Sequence, residues 1–201
     1  MAKNMKSITH LPIKSDKPWI ILGKGPSFNR ILDINTNQYY TFCLNHTMSI
    51  VDGDIGHIID LEVLDEIEDV GCFSLIVPYH PHINSKPTKR NLRDWIKEKP
   101  ILQYYEKFGK LFTYNLSTWK LAHLKDYPIV LTRYFSAETA FRILIAGGAK
   151  VIYSLGIDGG TEYSSQFKNL KPLRNGRRSF DDQFKEINSI VRESGVTYHA
   201  L

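Results

Sequence analysis

The sequence predicts an α/β protein with a mostly parallel sheet. Apolar runs of strand length alternate along the chain with stretches of helical periodicity. Runs such as IVLT and VIYSLG are almost continuously apolar, which is typical of strands buried on both faces. No apolar run approaches the roughly 20 residues that span a bilayer, and the N-terminus lacks the apolar segment of a signal peptide. We therefore expect a cytoplasmic protein without a membrane span.

Length and charge limit the organisation further. A chain of 201 residues is long enough for one substantial core and short for two. We expect a loosely attached arm over residues 1–17 and one domain over residues 18–201, a unit that is compatible with a homo-oligomer. The formal net charge of +5 favours an anionic partner such as a nucleotide, a phosphorylated glycan or a nucleic acid. Cys43 and Cys72 lie in apolar segments and predict buried thiols rather than a disulfide scaffold.

The individual elements follow from the same patterns and add up to a single Rossmann-like domain of three layers. The predicted strands are Trp19–Leu22, Tyr40–Leu44, His57–Asp60, Phe73–Tyr79, Leu111–Tyr114, Ile129–Thr132, Lys150–Gly156 and Val196–His199. The predicted helices are Asp60–Asp69, Leu92–Phe108, Ala137–Ala146 and Phe180–Ser194. Ser136 is a predicted N-cap, and the connection over residues 80–89, with two prolines, predicts an exposed loop or lid.

A glycine-rich turn, Gly23-Lys24-Gly25-Pro26-Ser27, follows the first predicted strand. Glycines let the backbone come close to a ligand, and the amides that open the next helix can receive phosphate oxygens together with the Ser27 hydroxyl. The turn is neither a Walker A loop nor a complete GxGxxG motif. It predicts a nucleotide phosphate site, and a tight turn that merely needs glycine is the alternative.

A second group of polar residues ends two later strands. Arg133 and Ser136 lie at a predicted strand-to-helix turn, and Gly156 and Asp158 end the strand VIYSLG. Ligands bind at the carboxyl edge of open α/β sheets, so we expect these four residues to meet there. Asp158 could hydrogen-bond a ribose or sugar hydroxyl, and Arg133 could neutralise a phosphate. A surface salt bridge and a helix cap are the alternative.

These motifs carry a resemblance to a known family. GKGPSF, Asn45 in CLNHT, RYFS and IAGGAKVIYSLGID resemble the nucleotide-binding core of the bacterial lipooligosaccharide sialyltransferases of glycosyltransferase family 42. The 6-hydroxymethylpterin pyrophosphokinase-like family is similar in the GxGPS turn and the late LGxD strand. The resemblance implies a GT-A-like variant of the Rossmann-like fold.

The sialyltransferase resemblance also implies roles for individual residues. Gly23, Gly25 and Ser27 would hold the donor phosphate or ribose, with Asn45 beside the nucleotide. Ser136, Gly156 and Asp158 would frame the base and ribose, Arg133 would lie near the reacting centre, and Tyr163 near the departing phosphate. Lys24 stands where the family has an asparagine, which favours a diphosphate donor.

The general base is the main departure from the family. The family places a histidine between the LGID-type strand and the last helix, and residues 159–184 contain none. Carboxylates in a dry pocket can take that role, so Asp60 and Asp182 are the predicted catalytic carboxylates, with Asp181 and Glu162 as further candidates. Arg177 and Arg178 could clamp the departing phosphate. His80 and His82 could be metal ligands or acid/base groups, but exposed histidines are the simpler interpretation. His57 and His199 could approach the site only if the fold brings them there.

The sequence thus predicts a glycosyltransferase that uses a UDP- or CMP-sugar, without a required metal, to modify a hydroxyl of a glycan or of a modified nucleic acid. One alternative is a pyrophosphokinase-like enzyme that uses ATP and magnesium, with Asp60 and the DxD-like pair Asp52 and Asp54 on the metal. A non-catalytic nucleotide-binding module is the other.

Overall fold

The computed structural model describes residues 5–117, 123–170 and 177–201, and within these ranges nine strands form one parallel sheet. The strands of the chain are β1 (Lys6–Ser7), β2 (Trp19–Leu22), β3 (Tyr40–Leu44), β4 (Gly53–His57), β5 (Cys72–Pro78), β6 (His82–Ile83), β7 (Lys86–Pro87), β8 (Leu111–Leu116), β9 (Ile129–Val130), β10 (Val151–Leu155) and β11 (Thr197–Ala200). The order in the sheet is β1-β8-β5-β4-β3-β2-β10-β11, and β9 also pairs with β8. The strands β6 and β7 form a separate antiparallel hairpin.

Helices cover both faces of this sheet. The helices are α1 (Val63–Glu66), α2 (Leu92–Ile96), α3 (Pro100–Lys107), α4 (Ser136–Ala146) and α5 (Asp182–Ser194). Successive residues of β2 point to opposite faces, so Trp19 and Ile21 join the core with α4 and α5, whereas Ile20 and Leu22 join the core with α1, α2 and α3. The prediction of a three-layer α/β domain with a mostly parallel sheet is confirmed. No helix within the described ranges is long and apolar enough to cross a bilayer.

The strand order reverses at β2. From this central strand the chain adds β3, β4 and β5 on one side, and later adds β10 and β11 on the other. After β2 and β10 the chain continues to different faces of the sheet, because Phe28 joins the core with α1, α2 and α3, whereas α5 joins the other core. In open α/β sheets such a switch point is the usual place for a ligand.

Two predicted elements differ from the structure for identifiable reasons. The strand predicted at His57–Asp60 is β4, Gly53–His57, because Gly53 and Gly56 fit against the sulfur atoms of Cys43 and Met48 where a larger residue would clash. The helix predicted at Leu92–Phe108 is two helices, because Pro100 lacks an amide hydrogen and disfavours helical geometry in the residue before it. Cys43 and Cys72 are buried thiols, as predicted.

The described part of the N-terminal segment, residues 5–17, is attached more firmly than the sequence suggests. β1 pairs with β8, Leu11 is buried in the core with α4 and α5, and the Trp19 indole donates a 2.7 Å hydrogen bond to the Lys14 carbonyl. The expected loose arm is therefore wrong for these residues. The signal is weak in the sequence because β1 has only two residues.

His57 makes the stability of this fold depend on pH. Burial lowers the pKa of His57 from 6.5 to about 3, so the folded protein holds the neutral ring, whose Nε2 lies 3.0 Å from the Tyr114 hydroxyl. In the unfolded chain the His57 ring takes up a proton below pH 6.5, whereas in the folded protein it stays neutral until about pH 3. The contribution of His57 to the unfolding free energy is therefore complete above pH 6.5 and is lost as the pH falls toward 3. Between about pH 6 and 4, we expect the unfolding free energy of the wild type to fall about 1.4 kcal/mol per pH unit more steeply than that of His57→Gln.

Denaturant titrations at several pH values measure this difference. The control is His10→Gln, which replaces an exposed histidine and should keep the wild-type slope. Equal slopes for wild type and His57→Gln would contradict the prediction.

Candidate functional site

A cleft of about 340 Å³ opens at the switch point. It lies above the carboxyl ends of β2, β3, β4 and β10, and its size is within the range of small-molecule sites. Most residues that the sequence singled out line it: Gly23, Lys24, Gly25, Asn45, Asp60, Arg133, Ser136, Gly156, Asp158 and Tyr163. The fold therefore brings together residues that are more than 100 positions apart in the chain.

Two glycine turns pack against each other at the centre of the cleft. The Gly25 amide donates to the Gly156 carbonyl at 2.8 Å, and Gly156 has a left-handed φ of 73°. A Cβ on Gly25 would lie 2.9 Å from that carbonyl and closer still to the Asp158 carboxylate, and a Cβ on Gly156 would collide with the Gly23 carbonyl. These glycines are required for turn-to-turn packing.

Ser27 serves this packing and does not line the cleft. Its hydroxyl accepts a 2.7 Å hydrogen bond from the Gly156 amide, and its own amide donates to Asp158 Oδ2 at 2.8 Å. The 3₁₀ helix Pro26–Asp33 thus begins at a carboxylate. The expectation that Ser27 and the first amides of this helix hold the phosphate is not met, because protein groups already bind them.

Lys24 is the cation of the first turn. Its ammonium lies 4.5 Å from the centre of the Tyr163 ring and 3.4 Å from His46 Nδ1. The other ring nitrogen of His46 lies 2.8 Å from Glu66 Oε2. His46 and Glu66 both line the cleft, and sequence analysis missed them. The position of His46 directly after Asn45 was the one available signal.

Asn45 has two properties typical of ligand-binding residues. Its φ is 54°, in the left-handed region that residues other than glycine seldom adopt. Its side-chain oxygen is buried and finds no hydrogen-bond donor among the described residues. Both properties cost free energy, and a ligand donor at this oxygen would recover part of that cost.

The loop before α4 forms another side of the cleft, and Glu138 shapes it. This carboxylate is 1% exposed and accepts hydrogen bonds of 2.9–3.0 Å from the amides of Arg133, Tyr134 and Phe135. Burial raises the pKa of Glu138, and these hydrogen bonds oppose the rise. The N-cap of α4 is Phe135, so Ser136, which was predicted as the N-cap, is the first residue of the helix. Glu138 binds the amides that a capping side chain would otherwise bind.

Arg133 and Asp182 are less available for chemistry than expected. Arg133 lines the cleft, but its guanidinium donates a 2.8 Å hydrogen bond to Glu186. Asp182 lies outside the cleft lining, with its half-exposed carboxylate 3.6 Å from Arg177 Nη1. The structure therefore does not support Asp182 as a catalytic residue. It is the first residue of α5, which places it at the rim.

An acidic wall with one histidine completes the cleft. Asp60, Glu62 and His82 line it, and the hairpin β6–β7 is tied to this wall because the Ser85 amide donates to Asp60 at 3.1 Å and the Asn84 amide donates to Glu62 at 2.8 Å. Burial, followed by the charges of Asp60 and Glu66, raises the pKa of Glu62, and burial lowers that of His82. His82 Nε2 is buried with no partner among the described residues. The segment over residues 80–89, predicted as an exposed loop or lid, thus contributes to the site.

Other sequence candidates lie elsewhere. Asp54 is the second residue of β4, and its carboxylate accepts hydrogen bonds from the amide and hydroxyl of Thr41 at 2.8 and 3.1 Å. The Asp52–Asp54 pair is therefore at the amino edge of the sheet, on the opposite side from the cleft. His57 is in the core, and His199 packs beside Tyr153.

Comparison with known proteins agrees with this geometry at the level of fold. No family model matches the chain, and no curated protein sequence does. A mutant of the α-2,3/8-sialyltransferase CstII superposes with a TM-score of 0.51 at 15% identity, over 92% of this chain and 81% of that one. The chain shares the fold of CstII. A structure of CstII from Campylobacter jejuni in complex with cytidine-5′-monophosphate gives a TM-score of 0.47 at 16% identity, over 94% and 81% of the two chains.

The sequence-based resemblance to the sialyltransferase core is thus confirmed for the fold. At this identity the likeness carries no residue roles, which rest on the cleft itself.

Glu138 offers a test of how the cleft is built. Glu138→Ala would leave three backbone amides without their acceptor, so we expect the unfolding free energy to drop by about 3 kcal/mol. Glu138→Gln keeps one acceptor oxygen and should lose less. Denaturant titration at neutral pH measures both, with Glu68→Ala, at an exposed glutamate, as the control. A loss below 1 kcal/mol for Glu138→Ala, taken as the lower limit for such unpaired groups, would contradict this account.

Proposed function

We propose that this protein is a glycosyltransferase that transfers a sugar from a nucleotide-sugar donor to a hydroxyl acceptor. The observation that carries the proposal is the presence in one cleft of a cation at the switch point, Lys24, and of acid/base groups, Asp60 and His82. Sugar transfer needs both, because the leaving phosphate gains charge while the acceptor hydroxyl loses a proton.

The donor binds at the glycine turns and the loop before α4. Asn45, Ser136 and Asp158 contact the base and ribose, and Lys24 with Tyr163 binds the phosphate next to the sugar. Arg133 and Arg177, which also line the cleft, add positive charge on the side of that loop. CMP-sugars are the first donors to test because CstII is a sialyltransferase, and UDP-sugars follow because Lys24 also suits a diphosphate.

The acceptor binds at the acidic wall, and His82 is the general base. Asp60 and Glu62 give this wall negative charge, which disfavours a nucleic acid and favours a glycan hydroxyl. His82 has a buried ring nitrogen and a lowered pKa, so the neutral form that accepts a proton predominates at neutral pH. Asp60 orients the acceptor from beside the hairpin.

The function is tested by incubating the purified protein with CMP- and UDP-sugars. We expect a donor-dependent rise in melting temperature and slow release of the nucleotide, which becomes faster with a glycan acceptor and not with duplex DNA. No response to any nucleotide or nucleotide sugar would refute the proposal.

Asn45→Gly separates ligand binding from stability. Glycine adopts a left-handed φ without strain, so we expect unfolding free energy to stay within about 1 kcal/mol of wild type. Loss of the side-chain oxygen should weaken nucleotide affinity about tenfold, the worth of one hydrogen bond that also relieves a buried acceptor. Calorimetric titration measures the affinity.

Asn84→Gly is the matched control for this substitution. Asn84 also has a left-handed φ, of 48°, but it is exposed at the hairpin tip and does not line the cleft. The nucleotide affinity of Asn84→Gly should equal that of the wild type. An equal loss of affinity in both variants would argue against a ligand contact at Asn45.

His82→Gln tests the general base. We expect the transfer rate to fall at least a hundredfold, with donor affinity within about threefold of wild type, because a base contributes 10²–10⁴-fold to the rate. In the wild type the transfer rate should fall as the pH drops through the pKa of His82, which lies below 6.5. The pH dependence of the rate on this acidic side should be different in His82→Gln. Rate profiles over pH for wild type, His82→Gln and Asp60→Asn measure this. A larger loss in Asp60→Asn would assign the base to Asp60.

A further inference from the structure

Three side chains of the cleft form a continuous chain of hydrogen bonds. His46 lies in the 3₁₀ helix Asn45–Ser49 and is only 6% exposed. Its Nδ1 lies 3.4 Å from the Lys24 ammonium, and its Nε2 lies 2.8 Å from Glu66 Oε2. Both ring nitrogens are therefore engaged, and the chain runs from the glycine turn after β2 to α1.

The donor and acceptor roles in this chain are determined by Lys24. An ammonium can only donate hydrogen bonds, so His46 Nδ1 must accept and cannot carry a hydrogen. The ring proton is then on Nε2, from which it is donated to Glu66. The arrangement is a cation, a neutral imidazole and an anion, and the imidazole orients the ammonium without cancelling its charge.

Lys24 is also held by its backbone and by an aromatic ring. Its carbonyl accepts a 2.7 Å hydrogen bond from the Ser164 amide, and the Ser164 hydroxyl donates to Asn29 at 2.7 Å. The adjacent Tyr163 presents its ring to the ammonium. A flexible lysine side chain is thus given a preferred position, and a pre-ordered cation stabilises developing charge more effectively than a mobile one.

We propose that His46, oriented by Glu66, is a positioning residue that holds the Lys24 ammonium in place to bind the donor phosphate. This inference rests on the proposed function and adds to it the reason why a lysine, rather than backbone amides, binds phosphate in this turn. The amide of Ser27 is engaged with Asp158, so the cation takes over the task that helix amides have in other glycine-rich turns.

The test is a double-mutant cycle between Lys24 and His46, with binding of CMP and cytidine, and of UDP and uridine, as the readout. Wild type, Lys24→Met, His46→Ala and the double variant are compared by calorimetric titration. We expect His46→Ala to weaken nucleotide binding about tenfold and nucleoside binding less than twofold. In the Lys24→Met background, His46→Ala should have little further effect, because the ammonium through which His46 acts has been removed.

Two further variants separate positioning from folding. Glu66→Gln keeps a hydrogen-bond acceptor for His46 and should weaken nucleotide binding about threefold. His46→Asn keeps an acceptor near Nδ1 and should recover part of the loss seen in His46→Ala. Nitrogen NMR of the wild type at neutral pH should show the hydrogen of the His46 ring on Nε2.

The outcomes are distinct. Additive effects of the two substitutions, or equal losses for nucleotide and nucleoside, would overturn the positioning role and leave the proposed function intact. A hydrogen on His46 Nδ1 would also overturn it. If the wild type binds none of the four probes, the proposed function is wrong and this inference fails with it.

Discussion

The contact between the glycine turns after β2 and β10 is the constraint on which the site depends. Gly25 and Gly156 approach so closely that a methyl group on either would collide with the opposite turn or with Asp158. Ser27 links the turns in both directions, through its amide and its hydroxyl. Because β2 and β10 are neighbours at the switch point of the sheet, this contact sets the floor of the cleft.

This contact changes how phosphate can be bound. A carboxylate, Asp158, already receives the first amide of the 3₁₀ helix after β2, so that helix does not present an empty anion site. Lys24, one position before Gly25, is the cation of this turn, and its ammonium contacts the Tyr163 ring and His46. In the function that we propose, a sequence pattern that is usually associated with backbone recognition of phosphate therefore leads to recognition by a side chain.

In the function that we propose, the acid/base groups come from a different part of the fold than the family resemblance implied. No histidine follows β10 in the expected region, but the hairpin β6–β7 places His82 in the cleft and is tied to Asp60 and Glu62. The hairpin contains two successive left-handed residues, Asn84 and Ser85, which form its tight turn. Their two amides are the donors to the acidic wall, so the turn and the site stabilise each other.

The sequence by itself determined the α/β class, the central strands and the glycine turns, because these depend on local apolar runs and on residues with special backbone freedom. Strands β2 and β3 were predicted with their observed limits. β4 was predicted too late in the chain because glycine is rare in strands, and Gly53 and Gly56 fit here against the sulfur atoms of Cys43 and Met48. Only the tertiary structure decided which polar side chains are available to a ligand. Ser27 and Asp182 were assigned to the site and are engaged elsewhere, while His46 and His82 join it through contacts with residues 20 or more positions away in the chain. Local patterns indicate where a chain can bend and what it can bury, but hydrogen bonds between distant residues decide which groups remain for chemistry.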